Sequence, residues 1–132
     1  MVDTVEILGQ VYDLAYTLEV QKKISEKMGG CGAEEIERLF EPVDMVEYYN
    51  RMAWLGRAMI EAAESRKYVM AHLSGDNYEK VAAPTEEEMA CMGPREASNL
   101  AGSIMAAMRH GNTSKIELEP QKKSGEKSGK KS

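Results

Sequence analysis

A chain of 132 residues with 42% hydrophobic residues is large enough to bury one core, and too short for two domains of ordinary size. Its net charge of −5 divides unevenly: residues 113–132 carry six Lys against three acids, so residues 1–112 hold −8. An acidic body repels phosphates and disfavours general DNA binding unless the tail alone provides it, no apolar run reaches bilayer length, and two cysteines fit a reduced, cytosolic protein.

In chain order, Thr4 to Leu8 and Val11 to Tyr16 alternate apolar and polar residues around Gly9-Gln10, which predicts a β-hairpin with glycine first in the turn. Val5, Ile7, Val11 and Leu14 divide between its faces, with Glu6 and Asp13 solvated. Thr17 is the expected N-cap of a helix that carries Val20, Ile24 and Met28 on one side and stops at Gly29-Gly30. A short helix from Ala33 to Phe40 follows, with Ile36, Leu39 and Phe40 inward.

The longest regular stretch lies between Pro42 and Gly75, with the helix itself expected from Val43 to Leu73. Met45, Tyr49, Met52, Leu55, Met59, Ala62, Ala63, Met70 and Leu73 recur at three- and four-residue intervals, which is the spacing of an amphipathic helix. At 1.5 Å per residue it runs roughly 45 Å, longer than a small domain is wide, so its end is expected to project, or the helix to bend at Gly56. A polar connector, SGDNYEKVAAP, reads as a surface loop. Thr85 with Glu88 forms a capping box opening the next helix, which breaks at Gly93-Pro94. Pro94 starts the final helix, with Leu100, Ile104 and Met108 on one face and Gly111 as its stop. Residues 113–132 lack aromatic residues and are rich in Lys, Ser and Gly, and are therefore expected to be disordered. The fold class expected is mostly α with a small N-terminal hairpin, a helical domain over residues 1–112 around one long helix, and a tail.

No pattern for chemistry assembles. The Gly29-Gly30-Cys31-Gly32 loop lacks the Lys-Ser/Thr of a phosphate cradle, and Glu34, Glu35 and Glu37 oppose both an anion and a thiolate there. Cys31, Cys91, His72 and His110 match no zinc spacing. The paired acids stand at helix starts, where capping explains them. No catalytic residue, cofactor or metal ligand is expected. Ten Met against one Phe and one Trp leave two readings open, ordinary core filler or an adaptable binding face.

The opening VEILGQVYDLAYTLEVQKKISEKMG, the long helix with RAMIEAAESRKYVMAHLSG, PTEEEMACM, and a last helix ending AAMRHG before a Lys-rich tail together resemble the tail assembly chaperones of long-tailed bacteriophages and prophages. The resemblance covers most of the folded part as a pattern of features. It implies a non-enzymatic protein of the host cytoplasm, absent from the mature virion, that binds the tape measure protein and brings tail tube protein to it. It also implies a ribosomal frameshift near Lys122-Lys123 or Lys130-Lys131, with the tail as linker to an added domain. A chaperone for a long helical client needs apolar grooves on a charged exterior, which puts Tyr48, Met52, Trp54 and Met59 forward as contact residues, with the core as their other reading. The competing classes are a helix-turn-helix regulator built on Thr85 to His110 and a head-tail connector; the former has only Arg95 and Arg109 as cations in its second helix. Leu55→Asp places a charge on the inner face of the long helix, so the variant should unfold or aggregate in thermal denaturation; an unchanged Tm contradicts that face.

Overall fold

The computed structural model describes residues 3–113, in which a hairpin precedes five helices: β1 (Asp3–Ile7), β2 (Gln10–Leu14), α1 (Leu18–Met28), α2 (Ala33–Leu39), α3 (Met45–Leu73), α4 (Glu86–Met89) and α5 (Pro94–Thr113). The fold is mostly α with one antiparallel two-stranded sheet. The expected disorder, linker role and frameshift of the tail fall on residues outside those described.

In the hairpin, Ile7 pairs with Gln10, so Leu8 and Gly9 are the two turn residues and the expected Gly9-Gln10 turn is displaced by one. Both carry positive φ, 51° and 84°. Positive φ at both central positions is the pattern of a type I′ turn, whose twist matches that of the strands, and here Leu8 accepts a left-handed conformation that L-residues disfavour. The register puts Val5, Ile7 and Leu14 on the buried face with Tyr12 at its edge, while Val11 is exposed. Directly after β2, the Ala15 N–H donates to the Met59 carbonyl at 3.1 Å and fixes the hairpin to the middle of α3.

Asp44 caps α3, its carboxylate accepting from the Glu47 N–H at 2.9 Å, so the helix begins two residues later than Val43. Met52, Leu55, Met59 and Ile60 are fully buried against Leu100 and Ile104 of α5, Val20 and Ile24 of α1, Leu39 of α2 and the inner hairpin face. Each such side chain contributes about 1.5–3 kcal/mol. Three members of the expected inner stripe, Met45, Met70 and Leu73, are exposed instead, because the body under α3 is shorter than the helix.

Two glycines serve close packing where the sequence suggested a bend and a stop. α3 runs unbroken through Gly56, and a Cβ there would lie 3.1 Å from Leu100 Cδ1, so the missing side chain lets α5 approach. α5 likewise continues past Gly111 to Thr113, and a Cβ at Gly111 would stand 2.8 Å from Tyr16 Cβ and 3.0 Å from the Tyr16 carbonyl oxygen. Replacing the strained turn leucine tests the hairpin geometry: Leu8→Asn should raise stability by about 1 kcal/mol, read as a higher urea midpoint at unchanged slope.

Candidate partner-binding surface

The first three turns of α3 present Tyr49, Ala53 and Trp54 toward α4 and the start of α5. The single turn of α4 is held by reciprocal caps: Thr85 Oγ1 accepts from the Glu88 N–H at 3.1 Å, and Glu88 Oε1 from the Thr85 N–H at 2.8 Å. Glu96 in turn accepts from the Gly93 N–H at 3.0 Å and fixes the entry to α5. Between these elements lies a cleft of about 500 Å3. Buried Met89, Ala97 and Leu100 form its floor, half-exposed Tyr49, Trp54 and Met92 its walls, and Asn50, Arg57 and Glu86 part of its rim. Arg57 Nε donates to the Pro84 carbonyl at 2.7 Å, and Lys27 Nζ sits 4.9 Å from the centre of the Trp54 ring, a cation–π contact that orients the indole.

A second groove, about 300 Å3, lies between the N-terminal end of α3 and α5 and is lined by Phe40, Val43, Met45, Tyr48, Tyr49 and Ala101 among others. Tyr49 borders both, and its ring stands 5.9 Å from that of Tyr48 at a tilt of 58°. The two grooves thus lie side by side as an apolar track along the beginning of α3. Of the four residues put forward from the sequence, Tyr48 and Trp54 line it. Met52 and Met59 do not: both are 0% exposed, seven residues apart on the face that packs on α5 and the hairpin, and belong to the core. Tyr49, Met89 and Met92 were not singled out; the break at Gly93-Pro94, which leaves a gap beside α3, was the available signal. The methionines divide between the two readings, with Met52, Met59, Met89 and Met108 buried and Met45, Met70 and Met105 exposed.

The groups weighed for chemistry stay apart. Cys31 and Cys91 are free thiols, and among the described residues no three His, Cys, Asp or Glu side chains converge as a metal site. His110 Nδ1 lies 2.7 Å from Asp3 Oδ1 and joins α5 to β1, and His72 stacks on Tyr68. Glu35 accepts from the Gly32 N–H at 2.9 Å, a cap at the start of α2. Reading α4 and α5 as a helix-turn-helix meets a physical obstacle, since α4 is one turn long and carries Glu86, Glu87 and Glu88 where phosphates would pass. Among the described residues no helix is long and apolar enough to cross a membrane. No protein family, curated protein or solved structure matches the chain.

Behind the cleft, the connector between α3 and α4 is less of a plain surface loop than its composition indicates. Glu64, 5% exposed, accepts from the Tyr78 hydroxyl, the Val81 N–H at 2.8 Å and Lys67 Nζ at 2.9 Å, which straps the connector to α3. Lys67 also meets Asp13 of β2 at 2.6 Å. Burial alone would raise the Glu64 carboxyl; the hydrogen bonds from Tyr78, Val81 and Lys67 together outweigh it and hold the group below its ordinary value. Lys67 is held above its usual range, by the hydrogen bond to Asp13 first and that to Glu64 second. With the folded value of Glu64 below the unfolded one of about 4.3, the unfolded chain takes up the proton first. The stabilisation is therefore complete above the unfolded value and lost as pH falls through the folded one. Glu64→Gln should lower stability at neutral pH by about 1–3 kcal/mol and flatten the loss between neutrality and acid, measured by denaturant unfolding across that window.

Proposed function

We propose that this protein is a tail assembly chaperone of a long-tailed bacteriophage or prophage, a non-enzymatic binder of the tape measure protein that assists the addition of tail tube protein. It acts in the host cytoplasm and leaves before the virion is complete. The order of features in the sequence supports the family. The apolar track along α3 supports the mode of binding, and it is the observation that carries the reading: Tyr48, Tyr49, Trp54 and Met92 stand half-exposed beside two adjacent grooves on an otherwise acidic body. Aromatic and methionine side chains in a groove suit an amphipathic helix of variable sequence, since Met adapts its shape and the aromatic rings supply area at small entropic cost. The surrounding acids keep a complex with an apolar client in solution.

Co-expression with the tape measure protein encoded in the same genome tests the reading: the client should move from the insoluble to the soluble fraction and co-purify. Trp54→Ala, which removes the side chain shared by the cleft and the Lys27 contact, should weaken that complex at least about tenfold in a titration, as expected for a central aromatic anchor. A client that stays insoluble with the intact protein, or a mobility shift of duplex DNA in its place, rejects the chaperone reading.

A further inference from the structure

α4, one wall of the cleft, is attached to the body thinly. It lies between two fixed points, the Pro84 carbonyl bound by Arg57 and the Gly93 N–H bound by Glu96. Among the described residues, those from 85 to 92 hydrogen-bond only among themselves: Met89 and Ala90 donate to the carbonyls of Thr85 and Glu86, Cys91 to that of Glu88, Met92 to that of Met89, and the Thr85–Glu88 caps close the turn. None of them makes an ion pair within the described residues. Met89 is buried, at 3% exposed, and Met92 half-buried; the others, Glu86, Glu87 and Glu88 included, are exposed. A single helical turn does not persist in water on its own, so the position of α4 rests on the Met89 side chain.

Met89 shares the cleft with Ala53 and Trp54 of α3 and with Ala97 and Leu100 of α5. An unbranched thioether fits irregular gaps of this kind, and another apolar side chain replaces it readily. We propose that α4 is a displaceable lid: Met89 plugs the groove between α3 and α5 in the resting protein, and the apolar face of an amphipathic helix takes its place when residues 85–92 swing aside on their two fixed points. Segments with few buried contacts and only local hydrogen bonds are the ones that open most readily. The displaced ground adds to the groove the length that α4 now covers. That the occupant is a client helix rests on the chaperone reading; the opening of α4 does not.

Amide hydrogen exchange on the full chain tests the opening: the amides of Met89 to Met92 should exchange at least about a hundredfold faster than those of Leu55 and Met59 in α3. The displacement is tested with a synthetic amphipathic helix of leucine, glutamate and lysine, titrated against the fluorescence of Trp54, the one tryptophan of the chain. Met89→Ala removes the plug; Thr85→Ala removes an exposed cap and leaves the core intact. Each should bind the peptide at least about threefold tighter than the unaltered chain, because the open form is then more populated. A fixed wall that touches the peptide gives the opposite sign for Met89→Ala. Amides of α4 as slow as those of α3 overturn the inference. So does an affinity unchanged or lowered in either variant that folds, or a peptide that binds none of these proteins. A tape measure protein that stays insoluble in co-expression leaves these outcomes untouched, so the lid and the chaperone reading fail separately.

Discussion

The close approach of α5 to the middle of α3 is the contact on which the other elements depend. Gly56 brings Leu100 and Ile104 onto the helix between Met52, Leu55, Met59 and Ile60, and this line of side chains is the surface the hairpin and α1 are packed against. The hairpin, too small to be stable alone, is held by its apolar face and by the Ala15–Met59 hydrogen bond. The same approach sets the separation of α3 from the turn at Gly93-Pro94, which leaves the cleft beside Trp54 open. Packing and the candidate site thus have one origin.

The elements themselves were legible because their signals are local. Thr85 and Gly29 mark helix ends by capping chemistry, and the three- and four-residue recurrence of apolar side chains marks the inner faces. What misled is long-range. Gly56 and Gly111 read as a bend and a stop because the residues that need their missing Cβ atoms, Leu100 and Tyr16, are distant in sequence. Met52 and Met59 have the composition of an adaptable surface, and only the placement of α5 and the hairpin makes them core. The turn at Leu8-Gly9 was displaced because a leucine of positive φ contradicts local preference, and the twist of the paired strands prevails over it.

Glu64 illustrates a different kind of concealment. In the sequence it is one of several acids on a long helix, and periodicity assigns it to the solvent. Its burial follows from the connector folding back, so that Tyr78 and Val81 reach a carboxylate already faced by Lys67. A charge inside this network orients donors from α3 and from the connector, and through Lys67 and Asp13 it ties them to β2.

The pairing of Asp3 with His110 spans 107 residues, and β1 packs along α5. The first strand therefore has no complete seat until the last helix has been synthesised. During translation Val5, Ile7, Met52, Leu55 and Met59 wait without their α5 partners, so the core closes only when the last helix arrives. The cleft, which needs Gly93 to Leu100, likewise has no walls until α5 is in place, so a chain still missing that helix cannot yet offer it to a partner.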